Sequence, residues 1–108
     1  MRRPAARALE LVDVLAALSD PVRLEIVRVL ASTPTERCCA EIPLPVTKST
    51  SSHHYKVLRE AGIIDTREEG TRRYQRLRRA ELDAAFPGLL ESVLRAAGPP
   101  VAPPRSSC

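Results

Sequence analysis

Apolar positions recur along this chain at helical, irregular and alternating intervals in turn. Leu11, Val12, Leu15 and Leu18 fall at helical spacing and predict a first helix over Ala5 to Leu18. Ser19-Asp20-Pro21 breaks that pattern and starts a second helix, with Asp20 as N-cap and Pro21 at the first helical position, where its missing amide hydrogen costs nothing. This helix is expected to run to about Ala31, burying Val22, Ile26, Val27 and Leu30 with Leu24 and Val29 on its flanks, until Ser32-Thr33-Pro34 ends it.

Residues 35–46, TERCCAEIPLPV, predict at most a short helical turn, because Pro43 and Pro45 each remove a donor and restrict the residue before them. Thr47 or Ser49 then caps a helix to about Ala61, with Val57, Leu58 and Ala61 facing inward and Gly62 just past its end. After Gly62 the period switches to alternation. Ile63 to Glu68 lead to Glu69-Gly70, and Thr71 to Leu77 return, a two-stranded hairpin about a glycine turn. On the return strand Arg73, Gln75 and Leu77 share one face and Arg72, Tyr74 and Arg76 the other; each face mixes types, so both remain candidates for the wet side. Ala80 to Ala97 resume helical spacing through Leu82, Ala85, Phe86, Leu89, Leu90, Val93 and Leu94, with a kink or fresh start at Pro87-Gly88. The chain thus divides into one domain over residues 1–97 and a proline-rich, disordered tail over residues 98–108.

Composition narrows the class. Hydrophobic residues make up 44% of the 108, but aromatic ones only 3%, so the core must be built of Leu, Val, Ile and Ala on helices. The fold class is mainly α with a small β-hairpin, an α+β arrangement. The net charge of +4 is concentrated: from Thr47 to Arg79 nine basic residues face four acidic ones. A basic stripe on a near-neutral scaffold suits a polyanion, a solvated basic face without a partner being the alternative. No stretch approaches a membrane span and no apolar leader is visible, which predicts a cytoplasmic protein. Three cysteines, an odd number, predict reduced thiols rather than a disulfide framework. There is no glycine-rich phosphate loop, no paired-carboxylate pocket and no metal-ligand spacing, so no catalytic residue, metal site or cofactor is assigned and an enzyme is not expected.

The order helix, helix, short turn, capped helix, hairpin, helix is that of a winged helix-turn-helix domain, written α1-α2-α3-α4-β1-β2-α5. In such a fold the capped helix enters the major groove by its first turns, where short polar side chains let the backbone approach the duplex. Lys48, Ser49, Thr50, Ser51, Ser52 and His53 occupy that leading end, followed by Tyr55 and Lys56. Arg72 and Arg73, just past the hairpin turn, are placed to meet phosphates or an adjacent minor groove. His54, four residues before Leu58, is expected to pack against the core. The plainer alternatives are that the serines only cap the helix, that His53 is merely solvated, and that the hairpin only aids solubility.

LSDPVRLEIVRVL (Leu18 to Leu30), STSSHHYKVLREAGII (Ser49 to Ile64) and EEGTRRYQRL (Glu68 to Leu77) together resemble the arsenic-repressor-like (ArsR-type) family of bacterial winged-helix transcription regulators. The resemblance covers about Leu9 to Leu94. It implies a homodimer on an operator in double-stranded DNA, two reading helices in successive major grooves, and repression relieved by an inducer. It also implies that the terminal helices form the dimer surface, here Leu11, Leu15 and Leu18 with Leu89, Leu90, Val93 and Leu94; their surplus apolar surface agrees. Metal-sensing relatives carry ligands that this chain lacks on its last helix, since His53 and His54 are its only histidines. Cys38 and Cys39 are adjacent, which suits tetrahedral zinc poorly. With Cys108 they offer three thiolates to a soft metalloid inducer such as arsenite, against redox sensing or incidental thiols. A winged-helix module that binds protein and reads no DNA sequence is the rival function.

Overall fold

The computed structural model describes residues 9–33, 36–38 and 42–101. Its elements are α1 (Leu11–Leu18), α2 (Pro21–Ala31), β1 (Arg37–Cys38), α3 (Lys48–Glu60), β2 (Ile64–Glu69), β3 (Arg72–Leu77), α4 (Arg79–Ala85) and α5 (Leu89–Ala97). The winged helix-turn-helix order is therefore present. The three strands form one antiparallel sheet in the order β1-β3-β2.

α2 begins as its sequence dictates. Asp20 is extended, and its carboxylate accepts from the amides of Val22 (2.9 Å) and Arg23 (3.0 Å), while Pro21 fills the position that needs no donor. The bond from the Arg23 amide, with the Val22 amide and the Arg23 side chain helping, holds the Asp20 carboxyl below its ordinary range. A carboxyl lowered in the folded state stabilises the fold at neutral pH, and that contribution fades as pH falls through the folded value. Asp20→Ala is accordingly expected to cost about 1 kcal/mol at neutral pH, whereas Asp20→Asn keeps the cap and loses the pH-dependent part. Urea unfolding of the three proteins at neutral and acidic pH checks this; equal stabilities of wild type and Asp20→Ala at neutral pH would contradict it.

α3 is capped by Thr47 and closes on Gly62. Gly62 has φ +85°, its amide bonds the carbonyl of Arg59 (3.0 Å), and the amide of Ile63 reaches back to that of Leu58 (3.0 Å). This pair of bonds is a Schellman closure, sealed by Leu58 against Ile63, both fully buried. The hairpin turns at Gly70, φ +63°, between the paired residues Glu69 and Arg72.

The core joins Val14 and Ala17 of α1, Ile26, Val27, Val29 and Leu30 of α2, Ile42, Tyr55 and Leu58, Ile63 and Ile64, Leu77, Leu82 and Leu90. On β3 the face left open by the sequence is settled in part: Gln75 and Leu77 go inward, Gln75 taking a hydrogen bond from the Thr66 hydroxyl at 2.7 Å. The same face leaves the core at Arg73, near the hairpin tip.

Three expectations need correction, and two are made more exact. On α1 the stripe leaves Leu11, Val12 and Leu15 exposed while Leu18 packs against the core, which takes Val14 and Ala17; residues 5–8, the expected start of this helix, lie outside the described residues. In residues 35–46 the described part contains the strand Arg37–Cys38 rather than a helical turn, because its backbone finds Gln75 and Tyr74 of β3 as ladder partners. At Pro87-Gly88 the fresh start is found rather than the kink: two helices are parted at Phe86-Pro87-Gly88, where Gly88 takes φ +83°. The tail assigned to residues 98–108 starts out anchored, the Val101 amide donating to both oxygens of the buried Glu25 at 3.1 and 2.9 Å. Residues 102–108 lie outside the described part. Finally, Cys38 is not a reduced thiol. It is buried and disulfide-bonded, an odd cysteine count leaving room for one pair, and Cys39 and Cys108 lie outside the described residues.

Candidate nucleic-acid interface

The leading turn of α3 is a knot of hydroxyls. Thr47 Oγ1 accepts from the Thr50 amide at 3.3 Å and exchanges hydroxyl bonds with Ser49 (3.3 Å) and Thr50 (2.9 Å). The Ser51 hydroxyl donates to the carbonyl of Lys48 at 2.8 Å. The cap is therefore Thr47, to whose hydroxyl Ser49 and Thr50 are tied, and Ser49 and Thr50 remain exposed at the helix head. A helix head with short side chains presents its first amides and a partial positive charge, which suits a phosphate.

Around α3 the residues sort by helical spacing. Ser49, Ser52, His53 and Lys56, at i, i+3, i+4 and i+7, form one exposed stripe, with Lys48 and Thr50 beside it. This stripe mixes hydroxyl, imidazole and ammonium donors, the chemistry that meets phosphate oxygens and base edges. Tyr55 does not join it. At 6% exposure Tyr55 belongs to the inward stripe with His54 and Leu58, so the candidate set on this helix loses it. That placement was available from spacing, since Tyr55 and Leu58 stand at i and i+3.

The hairpin carries its cations differently from what a charge count suggests. Arg67 is held by Glu36 and by Glu69 (2.8 Å), and its guanidinium stacks 4.4 Å from the Tyr74 ring centroid. The bond from Arg67 holds the Glu36 carboxyl below its ordinary range, and Glu36, ahead of Glu69, pushes the Arg67 pKa upward. Arg76 pairs with Asp65 at 2.6 Å and Arg73 with Glu68 at 3.2 Å. Arg78 is buried and donates to the carbonyl of Gly62 at 2.8 Å. Of the two arginines expected to meet DNA, Arg73 is exposed but ion-paired, while Arg72 is exposed with no ion pair among the described residues. The free cationic surface is therefore narrower than the sequence implies, and the Glu36–Arg67 contact that narrows it joins residues 31 apart.

A second surface is apolar. Leu11 and Leu15 are each 46% exposed and Val12 is 76% exposed. Sequence reading passed over Val12, the most exposed of the three, as an interface residue. Leu18 of α1 lines one narrow cleft with Leu89 and Leu90 of α5. Leu18, Leu89, Val93 and Leu94 are half-buried within the chain. Leu90 is only 3% exposed and belongs to the core, which removes it from a surface open to a partner.

Among the described residues no three metal-ligating side chains converge, and no helix is long and apolar enough to cross a membrane. A thiolate site at Cys38 would require its disulfide to be reduced first.

Comparison with known proteins agrees with this fold. A family described as a helix-turn-helix domain matches residues 18–67, from the end of α1 into β2. The chain is 38% identical over 83 residues to the HTH-type transcriptional regulator YceK of Bacillus subtilis, covering 75% of this chain and 83% of the relative. It is 37% identical over 73 residues to a putative arsenical resistance operon repressor of Halobacterium salinarum, covering 65% of this chain and 57% of that protein. It is 38% identical over 71 residues to a biofilm growth-associated repressor of Agrobacterium fabrum, covering 66% and 61%.

Proposed function

The chain belongs to the ArsR-like family of helix-turn-helix transcriptional regulators, and from that premise we propose that it is a homodimeric, cytoplasmic repressor that reads an operator with α3. It is a DNA-binding regulator rather than an enzyme. An inducer that releases the operator completes the proposal; its chemistry is left open.

The observation that carries the reading is the polar, exposed stripe Ser49, Ser52, His53 and Lys56 on a capped helix head, together with the exposed Arg72 on the wing. Two copies related by a two-fold axis through the exposed face of α1 would hide Leu11, Val12 and Leu15 against the same residues of the partner. The same axis would set two α3 heads on half-sites about one helical turn apart. Electrophoretic shifts with the duplex upstream of the protein's own gene, at several salt concentrations, test the reading. Selective binding that survives physiological salt supports it; unselective binding that vanishes with salt contradicts it.

The pairing of Arg67, Arg73 and Arg76 with acids favours the rival, a winged-helix module that binds protein instead. The two differ in what wing substitutions do. For a DNA reader, Arg72→Ala should weaken all duplexes alike and reduce the salt slope by about 1. Glu68→Gln should free Arg73 for a phosphate and raise affinity by up to about five-fold. An unchanged titration for both variants would assign the wing to something other than DNA.

A further inference from the structure

The sequence run Ser19-Asp20-Pro21-Val22-Arg23 does more than start α2. Arg23 turns back from the first turn of that helix and is fixed to the end of α1, its Nε donating to the carbonyl of Ala17 at 2.7 Å and its Nη2 reaching that of Ala16 at 3.5 Å. With the guanidinium held in this way, its Nη1 stands 3.2 Å from Nδ1 of His54. Arginine can only donate, so Nδ1 must accept, which puts the ring's proton on Nε2. Asp20 lies on the other side of the same nitrogen at 3.8 Å, already accepting from two backbone amides. His53, on the same helix, stands with its ring centroid 5.8 Å away, tilted by 56°.

His54 is 9% exposed and sits on α3 between the exposed Ser52, His53 and Lys56 and the buried Leu58. A ring needed only to fill space there would require no acceptor aimed at a fixed guanidinium. The geometry points to His54 as a positioning residue: its Nδ1, by accepting from Arg23, locks the head of α3 to the α1–α2 junction in the orientation that reading a duplex requires. This inference rests on α3 being the reading helix. The bond joins the first turn of α2 to α3, so losing it lets the α3 head pivot about its Leu58 anchor. Base readout needs placement within fractions of an ångström, so such a pivot erodes selectivity before it erodes folding.

Two substitutions separate positioning from space-filling. His54→Leu keeps the bulk and removes the acceptor. His54→Asn keeps an acceptor on the atom bonded to Cγ, where Nδ1 stands, and gives up most of the ring. Thermal unfolding should therefore rank Leu above Asn. Preference for the duplex enriched from a randomised pool, over a scrambled one, should rank the other way. His54→Leu should lose about ten-fold of that preference, as expected for a charge-assisted hydrogen bond, and His54→Asn should stay near wild type. Preference that follows stability, Leu above Asn, would overturn the inference. Nitrogen chemical shifts of the imidazole in the free protein give a readout independent of DNA: an unprotonated, hydrogen-bonded Nδ1 supports the lock and a protonated Nδ1 overturns it. A wild type without any sequence preference would sink the regulator reading instead, and the nitrogen shifts would still decide the lock.

Discussion

Replacing Leu11 and Leu15 together with aspartate will yield a folded monomer that has lost about 10²- to 10⁴-fold in affinity for a duplex carrying two half-sites. Both leucines are nearly half exposed in the single chain, and the helix that bears them gives its core side Val14 and Ala17, with Leu18 packed at its edge. Two carboxylates at these positions stay in water in the monomer and cost the fold little. In a dimer they would have to be desolvated against the same face of the partner, with like charges opposed, which is prohibitive for unpaired carboxylates. Once the copies part, each reading helix binds alone and the second half-site no longer benefits from an effective concentration set by the first. Light scattering and DNA titration on the same preparation check both halves of the prediction. A dimer that survives the double substitution would move the interface elsewhere. Leu90→Asp is the poorer probe, because Leu90 is a core residue and its loss would unfold the chain whatever its role between copies.

Gly62→Ala will lower the melting temperature by about 10 to 20 °C, from a loss of about 2 to 4 kcal/mol. At φ +85° an L side chain is strained whatever space it finds, and here the space is also taken. An added Cβ would stand 2.5 Å from Cδ2 of Leu9 and 3.1 Å from Nη1 of Arg78. Leu9 can swing away, since only the end of its side chain is struck. Arg78 cannot do so freely, because that same nitrogen donates to the Gly62 carbonyl. The substitution therefore strikes the short joint between α3 and the hairpin from two sides. Thermal unfolding followed by circular dichroism measures it; a drop of less than about 3 °C would mean that the Schellman closure relaxes without cost.

Where the chemistry is local, the fold could be read from the chain. Asp20-Pro21 announces α2, Thr47 and Gly62 bracket α3, and Gly70 marks the hairpin, because a cap, a missing donor or a positive φ is a property of one or two residues. What escaped depends on partners distant in sequence. The two residues of β1 carry no period of their own and are a strand only because β3 lies beside them. Helical spacing located the stripe Leu11, Val12 and Leu15 on α1, but not the smaller Val14 and Ala17 that the core takes. Summing charges over Thr47 to Arg79 found a cationic surface, yet the sum is blind to Glu36 taking Arg67 or Glu68 taking Arg73. The candidate site was legible as a helix and a wing. The inward turn of Tyr55 and the bond from Arg23 to His54 emerged only with three dimensions.

Selection of bound duplexes from a randomised pool at physiological salt bears most directly on the claim that a symmetric pair of α3 heads reads DNA. The expected product is an inverted repeat whose half-sites are centred about 10 base pairs apart, and which His53→Ala binds with reduced preference. A pool that stays random, or that converges on one unrepeated half-site, would contradict the account.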